Sequence, residues 1–254
     1  MFIWPDNCGC EAERTGLEQE RLQHEQESAH IREQARILAL RRSGLVGWLA
    51  DVEFNQFQPR EDWPDAMKCK DRVMAYFEAL ENNAFETVQH AVFRPHKKNW
   101  LIMHGHYGNG KTLLAAAMVK WYTGEGNAYF RVWPDYERRI RATFGNDELS
   151  NENEDMIISE LQKGDFIVID DLDKGNSGTD FTRRVLYSVL NYRYNAELPT
   201  VLTFNASPDE VDKRVPGRLV LESILGPAVL DRIIGSAFDV IEFDGPSYRS
   251  GVVF

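Results

Sequence analysis

Cysteine is scarce in this chain, with three in 254 residues at positions 8, 10 and 69. An odd count in a chain of this length excludes a disulfide framework and predicts a reducing, cytoplasmic setting. Long apolar runs are missing as well. The longest, from Leu113 to Val119, falls far short of the roughly 20 residues a membrane helix needs, so no span and no membrane partner are expected. The opening MFIWPDNCGC has neither a basic start nor a sustained apolar stretch, which predicts no secretory signal. Positive charge is in deficit: 29 Lys and Arg stand against 40 Asp and Glu, a net charge of -11. That balance excludes broad electrostatic capture of phosphate polymers, so any nucleic-acid contact must be local. Cys8 and Cys10 form a CxC that His24 or His30 could extend into a zinc site. The spacing is not that of a standard zinc module, and free thiols are the default.

Residues 11 to 43 are rich in Glu, Gln and Arg, with apolar positions only at Leu17, Leu22, Ile31, Ile37, Leu38 and Leu40. A long solvated helix is expected there, supported by pairs three or four residues apart such as Glu33 with Arg36 and Glu18 with Arg21. RRSGLVG at 41 to 47 breaks it, and the composition then turns aromatic at Trp48, Phe54, Phe57 and Trp63. The chain therefore divides into an extension, 1–43, and a main domain, 44–254. Apolar spacing at Met67, Val73, Met74, Phe77 and Leu80 predicts an amphipathic helix from Ala66 to Leu80. Beyond Pro95, five short apolar segments alternate with helical stretches: 100–104, 128–133, 166–170, 200–204 and 240–243. Near-continuous apolar strands of this kind predict an α/β fold whose parallel sheet is covered on both faces.

The first of these strands runs into GHYGNGKT at 105 to 112 and then into the helical stretch LLAAAMVKWY. Strand, glycine-rich loop and helix are the context a P-loop requires. The cradle spans Gly105, His106, Tyr107, Gly108, Asn109 and Gly110, with Leu113 opening the helix behind it. Glycines let successive amides turn toward phosphate oxygens, and the helix adds its positive end. Lys111 is expected on the β- and γ-phosphates of ATP and the Thr112 hydroxyl on Mg²⁺. FIVID ends in Asp170 and Asp171 at the carboxyl edge of the sheet. Asp170 is the candidate magnesium ligand, and Asp171 the candidate to orient and deprotonate the attacking water. Asn205, at the tip of TVLTF, is placed to hold that water or sense the γ-phosphate. A cap or turn is the competing explanation for the two acids and for Asn205.

Taken together, GHYGNGKT, FIVIDDLD, NYRYNAELPTVLTFNASPDEV and LDRIIGSAFDVIEFDGPSYR resemble the DnaC/IstB family of AAA+ ATPases, which includes bacterial and phage helicase loaders. RRSGL followed by FNQF at 54 to 57 is similar to that family's entry into its ATPase domain. The resemblance implies a five-stranded AAA+ P-loop domain that self-assembles with ATP, a DnaB-type replicative helicase as partner, and single-stranded DNA as ligand. It implies an arginine finger at Arg232 and a sensor arginine at Arg249, each of which could also be a surface ion-pair partner. Loaders of this family carry an additional helix after the second strand that lines single-stranded DNA. Here DYERRIRATF at 135 to 144 offers Arg138, Arg139 and Arg141 for charge and Phe144 for stacking; an ordinary amphipathic helix is the competing reading. Three departures stand out. Asp171 replaces a frequent Glu, TFN replaces TSN around Asn205, and LDK replaces LG after Asp171. An IstB-type transposition accessory and a nucleotide-gated adaptor with little turnover are the alternatives the same core allows.

Overall fold

The computed structural model describes residues 10–88, 96–143, 153–174, 179–205, 209 and 219–249, with side chains from Leu17 onward. Helix α1, Cys10–Ser43, projects Leu17, Leu22 and Ile31 into solvent. With so little apolar burial its stability rests on local pairs, Arg36 with Glu33 at 3.3 Å and Arg21 with Glu25 at 3.4 Å. Arg21 thus pairs toward the C-terminus rather than with Glu18. The last turn belongs to the body: Leu40 packs on the core and Arg131 Nη1 donates to the Ser43 carbonyl at 2.7 Å.

Two 3-10 turns, Gly47–Asp51 and Phe54–Gln56, lead into α2, Ala66–Glu81. A short antiparallel pair follows, β1 (Thr87–Val88) with β2 (His96–Lys97). The main body then alternates strand and helix. It runs β3 (Trp100–Gly105), α3 (Lys111–Tyr122), β4 (Ala128–Val132), α4 (Trp133–Ala142), α5 (Glu154–Lys163), β5 (Phe166–Asp170) and α6 (Asp180–Ala196). It closes with β6 (Thr200–Thr203), α7 (Val220–Leu225), α8 (Pro227–Ser236) and β7 (Ala237–Phe243). Trp133, expected at the end of a strand, instead opens α4 with Pro134 behind it, because proline fits the first helical turn and cannot serve a central ladder.

The large sheet has five parallel strands in the order β4-β5-β6-β3-β7. The period-2 alternation divides its core. Leu101, Met103, Val168, Val201 and Ile241 face α2 and α3, while Trp100, Ile102, Ile167, Ile169 and Leu202 face α5, α6 and α8. Every residue of β5 is buried, which is why FIVID reads as an unbroken apolar run.

The amino end of the sheet is fastened by one buried cation. Arg193, on α6, has no exposed surface and donates to the carbonyls of Leu161, Gln162 and Gly164 at the C-terminus of α5 at 3.0, 3.2 and 2.6 Å. It also donates to the Pro199 carbonyl at 2.6 Å and to Thr200 Oγ1 at 2.9 Å. No helix among the described residues is long and apolar enough to cross a membrane.

Candidate functional site

The parallel sheet presents its strand C-termini on one edge, and the P-loop lies there between β3 and α3. Gly105 has φ +119°, and a β-carbon on it would collide with the backbone of Phe243 in β7. Gly110, the cap of α3 with φ +96°, would collide with the Phe57 ring. Only glycine allows the loop to lie this close to its neighbours. α3 begins at Lys111, two residues before the helical run read from sequence. Its unpaired first-turn amides therefore start inside the GKT motif.

Lys111 is buried and its ammonium donates to the carbonyls of Gly105 and His106 at 2.8 and 2.7 Å and to Asn109 Oδ1 at 3.1 Å. Burial pushes its pKa down to about 8, with Asp171 and Asp170 pulling in the other direction. The fully buried Asn109 donates in turn to the Phe243 carbonyl, and His106 N–H donates to the same carbonyl at 3.1 Å. The loop is thus tied to β7 as firmly as to β3.

Opposite the loop, Thr112 Oγ1 lies 3.1 Å from Asp170 Oδ2. Thr203 Oγ1 donates to Asp170 Oδ1 at 2.7 Å and accepts from the Asp171 N–H at 2.9 Å. Burial raises the Asp170 pKa to about 6, against the two threonine hydroxyls that favour its charged form. A hydroxyl and a carboxylate at this separation form an all-oxygen donor set, which suits magnesium completed by phosphate oxygens. The site fits both ATP and Mg²⁺ on these grounds. Thr112 and Asp170 would hold the ion, which when bound neutralises phosphate charge.

Asp171 adopts φ +55°, a left-handed conformation uncommon for a residue with a side chain. The strain is held by β6, since Leu172 N–H donates to the Thr203 carbonyl at 3.0 Å. Asp171 Oδ1 accepts from Asn205 Nδ2 at 3.1 Å, and Asp171 Oδ2 accepts from Lys174 Nζ at 2.7 Å. Because β6 pairs with both β3 and β5, Asn205 emerges between the loop and the acids.

Gly108, Asn109, Gly110, Lys111, Thr112, Asp171, Lys174 and Asn205 border one cavity of about 360 Å³, together with Leu113, Tyr107 and Arg249; Gly105, His106, Asp170 and Thr203 lie behind that lining. Its other wall is aromatic: Trp48 and Phe57 come from the 3-10 segment and Tyr248 from the stretch after β7. Tyr248 N–H donates to the Gly108 carbonyl at 2.7 Å, and its hydroxyl to the Gln58 carbonyl at 2.7 Å. The sequence motif SYR is thereby clamped on the P-loop, and Arg249 faces the chain's own cavity. Arg232 does not. It lies on α8 with its guanidinium 5.3 and 5.7 Å from the ring centres of Tyr187 and Tyr194, outside the residues lining the pocket.

The α4 arginines each meet a carboxylate. Arg138 pairs with Asp135 at 3.0 Å, Arg139 with Glu160 at 3.5 Å, and Arg141 with the buried Glu137 at 2.8 Å. The cluster is therefore less cationic than its sequence implies. Phe144 and Cys8 lie outside the described residues, as does the side chain of Cys10. Among the described residues no group of three or more His, Cys, Asp or Glu is arranged to hold a metal. Sequence reasoning missed Thr203, Asp173, Lys174 and Phe57 as site residues. Only the LDK departure signalled any of them.

Solved structures share this architecture. The DnaC helicase loader matches 78% of this chain and 99% of its own length with a TM-score of 0.55 at 20% identity. DnaI matches over 79% and 92%, with a TM-score of 0.53 at 19% identity. The replication initiator DnaA, bound to AMPPCP and single-stranded DNA, matches over 76% of this chain and 49% of that one, with a TM-score of 0.54 at 16% identity. No protein-family model and no curated protein matches the sequence. The strand order, the P-loop between β3 and α3 and these likenesses agree that the chain has the α/β P-loop fold found in DnaC, DnaI and DnaA.

Proposed function

We propose that this chain is an ATP-controlled helicase loader that binds a DnaB-type replicative helicase and single-stranded DNA. One observation carries the reading: Lys111, Thr112, Asp171, Asn205 and Arg249 border a single cavity closed by aromatic rings, with Asp170 directly behind Thr112. A triphosphate needs cations, a magnesium ligand and a water-orienting group on one side and a flat apolar surface for its base on the other. The fold likeness to DnaC and DnaI directs the partner assignment. ATP, with Mg²⁺ at Thr112 and Asp170, drives self-assembly in which Arg232 of one copy serves the site of the next, and hydrolysis releases the partner. The placement of Arg232 away from its own cavity supports a role between copies. α1, a long helix with exposed Leu17, Leu22 and Ile31, is the candidate helicase-binding segment.

The test is capture of the cognate replicative helicase by the intact chain, with and without ATP, alongside Lys111→Ala. ATP-dependent capture lost in the variant supports the reading, and capture indifferent to both ATP and the variant refutes it. A second reading, a nucleotide-gated adaptor with little turnover, is favoured by Asp171, whose two oxygens are both engaged by donors. Steady phosphate release stimulated by single-stranded DNA would exclude it.

A further inference from the structure

The loop that follows Asp171 carries LDK where the resemblance leads one to expect LG, and both new polar residues touch the site. Asp173 accepts from the backbone N–H and the side-chain amide of Asn205, at 3.0 and 3.2 Å. Lys174 Nζ donates to Asp171 Oδ2 at 2.7 Å and lies 5.0 Å from the ring centre of Tyr107, a P-loop residue. It borders the same cavity as Lys111, Thr112 and Arg249. The ammonium is therefore suspended between the acid and the phosphate loop. Its side chain is 41% exposed. An ion pair with that much access to water adds little net stability, so its cation changes partners readily.

We propose that Lys174 reads the terminal phosphate, distinguishing a nucleoside triphosphate from a diphosphate by leaving Asp171 for the γ-phosphate. This rests on the nucleotide reading above. A lysine serves phosphate as a compact point charge with three donors. The γ-phosphate offers more negative charge and more acceptor oxygens than one carboxylate already shared with Asn205. Transfer of Lys174 removes the donor from Asp171 Oδ2, opening an acceptor on the group assigned to water. With a diphosphate bound, Lys174 stays on Asp171 and that acceptor stays closed. One displacement thus couples recognition of the triphosphate to readiness for hydrolysis.

Calorimetric titration with AMPPCP and with ADP, both with magnesium, tests this on the full chain and on Lys174→Met and Lys174→Arg. Lys174→Met keeps most of the length of the side chain and removes its charge together with its three donors. The expected result is AMPPCP binding weakened about tenfold with ADP binding changed less than about twofold, and substantial recovery of AMPPCP binding in Lys174→Arg. Equal losses for the two nucleotides, or no loss for either, overturn the role of Lys174 and leave the nucleotide site standing. Failure of the unmodified chain to bind either nucleotide overturns the nucleotide reading itself and this inference with it.

Discussion

Replacing Arg193 by alanine should destabilise the fold more than any substitution at the nucleotide site. The side chain is fully buried and supplies five hydrogen bonds, four to carbonyls and one to Thr200 Oγ1. Three of those carbonyls end α5, where the helix dipole is negative, so the guanidinium serves as both donor and countercharge. Burial draws its pKa down to about 9, which leaves it charged at neutral pH. The Pro199 carbonyl keeps the Ile167 N–H at 3.4 Å, so truncation strands three carbonyls at about 1 kcal/mol each, the low end for an unsatisfied buried group, for a loss of about 3 kcal/mol. Domains of this kind have about 5–15 kcal/mol in all. At about 2–4 °C per kcal/mol for a chain of this size, Tm should fall by about 6–12 °C. Arg193→Lys, with one nitrogen, cannot reach both α5 and Pro199 and should lose about half as much. The assay is thermal unfolding followed by circular dichroism without nucleotide. Nucleotide binding at low temperature should survive, because Arg193 lies at the amino end of β6 and the proposed phosphate site at the other. A Tm within about 2 °C of the parent would refute the clamp.

Thr203→Val keeps the shape of β6 but removes the hydroxyl shared by Asp170 and the Asp171 N–H. Magnesium-dependent nucleotide affinity, measured by calorimetry, should weaken by about 1–2 kcal/mol. Since Lys111 titrates near 8 in the free protein and only its charged form attracts phosphate, ATP affinity should fall as pH is raised through 8. The fall should disappear in Lys111→Ala, whose affinity is low throughout. Cys69 is buried and its thiol is pushed up to about 11 by burial. Mass mapping after iodoacetamide at pH 8 should therefore find the Cys69 peptide unmodified in folded protein and modified in denaturant. Deleting residues 1–36, which spares the docked last turn of α1, should abolish helicase capture in a pull-down while ATP binding persists.

The strands and the P-loop were legible because both are written in contiguous residues. FIVID is apolar at each position because both of its faces are covered, and GHYGNGKT carries its glycines where the backbone needs them. Asp170 and Asp171 followed from their place at a strand's end. The partners were not legible. Thr203 joins Asp170 across 33 residues of sequence, and Phe57 meets Gly110 through folding of a separate segment. Arg193 sits inside NYRY, a stretch that pointed toward a family without revealing that its arginine is a structural clamp. Of the α4 arginines, Arg138 and Arg141 meet acids three and four residues away on the same helix, Asp135 and Glu137, pairs that spacing does show, while the partner of Arg139, Glu160, comes from α5 and is invisible in the spacing. Spacing along one element reports its own faces well and says little about what another element brings to them.

The bond from Asn109 to the Phe243 carbonyl spans 134 residues, and this has a consequence for how the protein is made. A ribosome adding about 5–20 residues per second needs on the order of ten seconds to travel from the phosphate loop to the strand that braces it. Throughout that interval the nascent chain has the glycines but not their support. The braced form of the loop therefore arises only after β7 has been made, and translation itself sets the earliest moment at which that geometry exists.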